Sequence, residues 1–213
     1  VRFVGDPVAF VVAETLAQAR DAAEAVELDI ESLPAVTDSR AAAQPGAPQV
    51  FEEAAGNVCL DYHYGDSAAV ADAFARAAHV ARLPLVSNRI VVCAMEPRSA
   101  IGTYDATSDR YTLHAGCQGV FGLKHQMAEL LKIKPAQMHV LTGNVGGSFG
   151  MKGSPYPEYA GLFHASKILG RPVKWTDDRS GSFLSDQHGR DHDFEGELAL
   201  DKDGNFLAVR LTG

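Results

Sequence analysis

Residues 26–30 and 58–64 alternate apolar and polar side chains, and residues 8–13 form an apolar, β-branched run. A period of two sends successive side chains to opposite faces of a sheet, so these segments predict strands. Strands are also predicted over 79–92, 98–104, 110–115, 138–142 and 171–176, with a final hairpin over 193–200 and 206–211. The stretch Tyr104-Asp105-Ala106-Thr107-Ser108-Asp109 suits a hairpin turn between its flanking strands. Thr15 and Gln18 have the spacing of a capping box ahead of an alanine-rich helix reaching Ala25, and Asp66 can cap another reaching about Ala78. Further helices are predicted over 120–131, 158–169 and 178–184. Two prolines and a glycine in Ala43-Gln44-Pro45-Gly46-Ala47-Pro48 break all periodicity and mark a linker. The expected class is α+β, with mixed sheets and strand–turn–helix units.

Two such units stand side by side. The strand ending at Ala115 runs through Gly116-Cys117-Gln118-Gly119 into a helix, and the strand over 138–142 runs into a loop with glycines at 143, 146, 147 and 150. Turns of this kind set backbone N–H groups and a helix N-terminus at one end of a sheet, where an anionic ligand is favoured. The glycines permit positive φ and close approach of backbone to a ligand. Neither G-x-x-x-x-G-K-[ST] nor G-x-G-x-x-G matches any register of the loop. Gly146-Gly147-Ser148-Phe149-Gly150 does match G-x-S-x-G, as in a serine hydrolase nucleophile elbow. Asp177, Asp178, Asp186 or Asp191, followed by His188 or His192, would complete the order Ser, Asp, His. Against that reading, Pro155 and Pro157 fall where the elbow's helix should begin at once.

Composition narrows the classes. With 213 residues, 46% of them hydrophobic, the chain can bury one sizeable core or two small ones. A formal charge of −8 argues against nucleic acid as a partner, because phosphate neutralisation needs clustered Lys and Arg. Cys59, Cys93 and Cys117 form neither a disulfide framework nor a CxxC knuckle, which makes a reducing compartment, the cytoplasm, the expectation, with export as a folded complex left open. No apolar run is long enough to span a bilayer, and the first residues lack the basic-then-apolar character of a signal peptide.

The loop Val145-Gly146-Gly147-Ser148-Phe149-Gly150-Met151-Lys152 resembles the GG-[GS]-FG-x-K loop of molybdenum hydroxylase large subunits, the xanthine oxidase, aldehyde oxidase and carbon monoxide dehydrogenase family. Met95-Glu96-Pro97-Arg98, Cys117-Gln118-Gly119, Gly170-Arg171-Pro172-Val173-Lys174-Trp175-Thr176 and His188-Gly189-Arg190-Asp191-His192 look like further blocks in family order. Val4-Gly5-Asp6-Pro7-Val8-Ala9 and Leu33-Pro34-Ala35-Val36 resemble the end of the hammerhead domain that precedes the cofactor domain. The resemblance therefore implies the C-terminal part of a hammerhead over 1–44 and the first part of a molybdopterin-binding domain over 45–213.

It also implies a cofactor: molybdenum held by a pterin dithiolene, the pterin with or without an added nucleotide. Gln118 matches the glutamine whose amide contacts the metal's oxo group, and Phe149 the aromatic residue beside the metal. Gly146, Gly147, Ser148 and Gly150 match residues whose backbone packs around the pterin. Read without the family, Gln118 is a helix-start residue satisfying local backbone. The family's glutamate general base lies far toward the C-terminus of the large subunit, so no catalytic residue is nominated in this chain. Implied partners are the remainder of the large subunit, an iron–sulfur subunit and a flavoprotein subunit carrying FAD. Purine-oxidising members tend to have Glu directly after the loop lysine, where this chain has Gly153. The substrates that fit are then an aldehyde, an N-heterocycle or a similarly small molecule, carbon monoxide included, oxidised with water as the oxygen source. A piece of such a subunit is expected to be inactive alone, and a non-catalytic assembly module is the third reading.

Other residues carry less. His188 and His192 with neighbouring aspartates suggest a metal site superficially, but Gly189 between them favours a solvated turn. Cys117 reads as packing, and Lys152 as either a partner for cofactor or carboxylate or a surface residue.

Overall fold

The computed structural model describes residues 1–213. In chain order its elements are α1 (Leu16–Glu24), α2 (Ser39–Ala42), α3 (Ser67–Ala75), β1 (His79–Ser87), β2 (Ser99–Asp105), β3 (Arg110–Ala115), α4 (Val120–Leu130), β4 (Met138–Leu141), α5 (Pro157–Leu169), β5 (Val173–Thr176), α6 (Arg179–Ser185), β6 (His192–Leu200) and β7 (Phe206–Thr212). The chain divides into two compact units that interleave in sequence, Val1–Asp29 with Val91–His188 and Ile30–Ile90 with Gly189–Gly213. No helix is long and apolar enough to cross a membrane.

In the first unit four strands lie in the order β4-β3-β2-β5. β2 pairs antiparallel with β3 and β5, while β3 pairs parallel with β4. A parallel pair cannot be joined by a hairpin, and α4 supplies the crossover. The register puts Gly102 opposite both Leu113 and Val173, and Leu113 opposite Val140, so these residues share one face. Helix α5 lies against it. A Cβ on Gly102 would stand 2.7 Å from the Leu162 Cβ, which is why a glycine occupies the point of closest approach. The buried Ser166 hydroxyl accepts a hydrogen bond from the Tyr104 N–H at 3.0 Å, tying α5 to β2 a second time. Leu123 and Met127 of α4 join Tyr159, Leu162 and Phe163 of α5 in the same core.

The helix ends follow their sequence signals. Thr15 accepts from the Gln18 N–H while Gln18 accepts from the Thr15 N–H, a complete capping box for α1. α5 begins with Pro157 at its first position and ends on Gly170 at φ 63°, whose N–H returns to the Ser166 carbonyl.

The second unit is the antiparallel sheet β1-β6-β7, with α3 against β7. Glu197 on the middle strand accepts from Arg210 on one neighbour and Arg82 on the other. These two hydrogen bonds, Arg210's the larger influence, hold its carboxyl down at about 2.

Three expected strands do not form. Residues 8–13, 26–30 and 58–64 are unpaired, and their apolar side chains, Val8, Leu28, Leu60 and Tyr62 among them, are exposed. Alternation specifies which face a side chain takes, but a strand also needs a neighbour to satisfy its N–H and C=O groups. Residues 8–13 nevertheless have a place: the Phe10 ring covers Gly161 of α5, where a Cβ would come within 3.2 Å of it.

The first unit is held from within by Arg98, whose side chain is fully buried. Its guanidinium donates to Asp186 at 2.6 Å, Ser185 at 2.8 Å, Glu158 at 3.1 Å and Asp177 at 3.5 Å, and lies 3.7 Å over the Tyr156 ring. Burial opposes its charge, yet hydrogen bonds and attraction from Glu158 and Asp186 outweigh that and raise its pKa. Burial pushes the Asp177 carboxyl up. Removing the one cation from three carboxylates leaves buried charge uncompensated. Arg98→Met is therefore expected to cost about 3–5 kcal/mol in urea denaturation. Arg40→Met, which breaks an exposed pair with Asp193, should cost no more than about 1 kcal/mol.

Candidate functional site

The two strand–turn–helix connections meet at the C-terminal ends of β3 and β4, the parallel pair. The Gln118 N–H donates to the Lys152 carbonyl at 3.1 Å. The Gln118 Oε1 accepts from the Ser148 hydroxyl at 2.8 Å and from the Gly150 N–H at 3.1 Å. An N–H can only donate, so the Gly150 contact fixes which end of the carboxamide faces the loop. The Nε2 end points away with both its protons unused. Gln118 thus bonds across to the glycine loop and does not cap its own helix, the alternative left open by the sequence.

The glycine loop is shaped by backbone conformations that favour glycine. Gly147 stands at φ 103° and Gly150 at φ 96°, and Phe149 between them is also left-handed at φ 51°. The Phe149 ring is 79% exposed. A Cβ on Gly147 would meet that ring at 3.0 Å, so the missing side chain lets the ring fold back over the loop. Not every loop amide faces outward. The Gly146 N–H donates to Glu96 Oε2 and the Gly150 N–H to Gln118. The N–H groups of residues 147, 148 and 149 have no acceptor within the protein.

Beneath the loop, Lys152 is buried, with only 1% of its side chain exposed. Its ammonium donates to Glu96 Oε2 at 2.6 Å and to the Glu96 carbonyl at 2.9 Å. The surface alternative for this lysine is corrected: the side chain runs inward to a carboxylate. Glu96 in turn donates its N–H to the Gly146 carbonyl. Hydrogen bonding to Lys152, then to the Gly146 N–H, holds the Glu96 carboxyl below its ordinary range. Neither Glu96 nor the buried Arg98 was assigned a role from sequence, although both lie in the block Met95-Glu96-Pro97-Arg98. A charged pair flanking proline carries no signal of burial until its partners are seen.

The geometry does not support a nucleophile elbow. The Ser148 hydroxyl donates to Gln118 and accepts from the Lys152 N–H, and it has no histidine partner. The ring of His188 instead bonds the Phe183 carbonyl. After Ser148 comes a single 3₁₀ turn, Met151–Gly153, and α5 starts only at Pro157. Cys117 is buried, with its N–H on the Thr142 hydroxyl at 3.4 Å, in keeping with a packing role.

The sequence pattern of the Molybdopterin cofactor-binding domain matches residues 50–213. The chain belongs to the molybdenum hydroxylase family, among its molybdopterin-binding large subunits. It is 34% identical over 212 residues to the nicotine 6-hydroxylase large subunit of Paenarthrobacter nicotinovorans, covering 99% of this chain and 26% of that one. It is 30% identical over 224 residues to the carbon monoxide dehydrogenase large chain of Hydrogenophaga pseudoflava, covering 100% of this chain and 28% of that one. Among solved structures, quinoline 2-oxidoreductase from Pseudomonas putida 86 superimposes with a TM-score of 0.83 at 34% identity, over 99% of this chain and 26% of that one. The chain thus spans about a quarter of the length of these relatives.

The lowered pKa of Glu96 gives a signed expectation. Its contribution to holding the loop is complete above the unfolded carboxylate value near 4.5 and is lost as pH falls through the lower folded value. Hydrogen exchange at the Gly146 N–H should therefore accelerate in that acid window beyond its intrinsic pH dependence. The same excess should be absent from Glu96→Gln.

Proposed function

We propose that the paired turns form one wall of the molybdopterin site in a hydroxylase that oxidises an N-heterocycle, an aldehyde or a similarly small molecule. Of these, the N-heterocycle is the first substrate to try, because nicotine 6-hydroxylase and quinoline 2-oxidoreductase are each 34% identical to this chain. Residues 1–44 would be the end of the preceding hammerhead domain and 45–213 the first part of the cofactor domain. The rest of the large subunit, with iron–sulfur and FAD-carrying partners, would complete the enzyme, and water would supply the oxygen.

The observation that carries this reading is the orientation of Gln118. Its carbonyl end is held by two donors from the glycine loop, so its N–H₂ is presented outward. Three further donors, the N–H groups of residues 147 to 149, stand free on the same loop. A wall of donors fits an oxo-bearing metal and an acceptor-rich pterin. Gln118, Gly147, Ser148 and Phe149 would hold the cofactor here, with Gly146 and Gly150 shaping the loop because their own N–H groups are already used. When bound, molybdenum would supply the redox chemistry of carbon hydroxylation. This chain's residues would orient the group: the Gln118 amide by a hydrogen bond, the Phe149 ring by shielding one side from water. No side chain here serves as the general base, which the family places further along the large subunit.

In the assembled enzyme, Gln118→Ala removes one directed hydrogen bond of about 0.5–1.5 kcal/mol, so a loss of cofactor affinity of about two- to tenfold is expected. Molybdenum and pterin content after gel filtration measure it; wild-type content in the variant would sink the assignment. Turnover of an N-heterocycle in ¹⁸O-labelled water should place the label in the product, and label drawn from dioxygen would contradict the proposed oxygen source.

A further inference from the structure

Lys152 has three distinct attachments, and each reaches a different part of the site. Its ammonium bonds Glu96 through the carboxylate and the main-chain carbonyl. Its N–H donates to the Ser148 hydroxyl at 3.1 Å, which leaves that hydroxyl's single proton for Gln118 Oε1. Its carbonyl accepts the Gln118 N–H. The main-chain N–H of Gln118 is thereby tied to Lys152 directly, and its side-chain oxygen through Ser148. Glu96 closes the ring, since the same Oε2 that takes the ammonium also takes the Gly146 N–H at the front of the loop.

We infer that Lys152 is a positioning residue: anchored on Glu96, it fixes the loop so that Ser148 and Gly150 grip the Gln118 carbonyl and leave the N–H₂ pointing outward. The ammonium does not meet the cofactor. Its side chain is directed to Glu96, and it acts on the site only through Ser148 and Gln118. A freely rotating carboxamide presents its oxygen as often as its nitrogen, and an oxygen facing an acceptor repels it. Holding one end therefore selects the donor end for the ligand before the ligand arrives, which lowers the ordering cost of binding. The choice of lysine fits the anchor. A compact ammonium can serve two acceptors on one residue, whereas a planar guanidinium would need them side by side.

This inference rests on the reading of Gln118 as a cofactor contact for its significance, but its test does not. The ¹⁵N heteronuclear NOE of each glutamine side chain is measured on the large subunit in its cofactor-free form. In the wild type, Gln118 Nε2 is expected to be as rigid as the surrounding backbone, while Gln126, exposed on α4 and without a side-chain partner, is mobile. In Lys152→Met, Gln118 should become as mobile as Gln126 while the amide signals of β2, β3 and β4 stay in place. Gln118 as rigid in the variant as in the wild type would overturn the inference. So would loss of the sheet signals together with Gln118, because the lysine would then be holding the fold and not the amide. Glu96→Gln supplies the second arm, since it leaves the ammonium its main-chain acceptor and the fold its packing. There too Gln118 should loosen with the sheet intact, and an unchanged Gln118 counts against the proposal. If both variants loosen Gln118 yet the assembled enzyme binds molybdopterin normally, the positioning role stands and the cofactor assignment falls.

Discussion

A guanidinium cannot shed its proton under any condition a protein meets, so burying Arg98 commits the chain to surrounding it with carboxylates. Those carboxylates come from three places: Glu158 in the first turn of α5, Asp177 just before α6 and Asp186 just after it. The Arg98 carbonyl also accepts the Asp177 N–H at 2.9 Å. One side chain therefore ties together the start of α5, the handover from β5 to α6 and the entry of β2 into the sheet. Tyr156 is recruited to the same centre, its ring under the guanidinium and its hydroxyl donating to the Met151 carbonyl at the end of the glycine loop. The core's fixed charge and the loop's geometry are connected through that tyrosine.

Two residues earlier, Glu96 does the complementary job with the signs reversed. Here a partly exposed carboxylate receives a buried ammonium, so the charge that cannot easily reach water is the lysine's. Only one carboxylate is needed, because the main-chain carbonyl of the same residue satisfies a second proton. Arg179 adds a further constraint from α6, donating to the Ala94 carbonyl at 2.6 Å and the Met95 carbonyl at 3.2 Å. The short segment from Ala94 to Arg98 is thus held on both sides, with one end under the glycine loop and the other in the core. Those contacts offset part of the entropic cost of ordering a loop with so many glycines.

How much of this could be read from sequence depends on whether the deciding contact is local. Capping residues act within four positions, so Thr15 and Asp66 announced their helices, and each side chain accepts the expected N–H. The hairpin between β2 and β3 and the final one between β6 and β7 follow from turn chemistry in the same way. Strands over 8–13, 26–30 and 58–64 failed because pairing is not local, and alternation carries no information about whether a neighbour is available. In the site, glycine density and the resemblance pointed to the loop and to Gln118, but the direction of the amide depends on Gly150, 32 positions away in the chain. Lys152 was ambiguous for the same reason. Burial of a lysine is set by its partner, and Glu96 lies 56 positions before it.

The five residues of the G-x-S-x-G string show how one pattern can serve two chemistries and how backbone geometry separates them. A nucleophile elbow places strain on the serine so that its hydroxyl stands clear of the turn, ready for a base. Here the left-handed conformation falls one residue later, on Phe149, and the serine keeps an ordinary φ. The consequence is an exchange of roles. The aromatic side chain is the one left exposed, while the hydroxyl turns inward to receive the Lys152 N–H and grip Gln118. A serine whose proton goes to an amide oxygen has no base to activate it, but it is well suited to hold another side chain still. Positive φ on Gly147, Phe149 and Gly150 but not on Ser148 goes with a supporting element and not a catalytic one, and no count of glycines in the sequence could have revealed it.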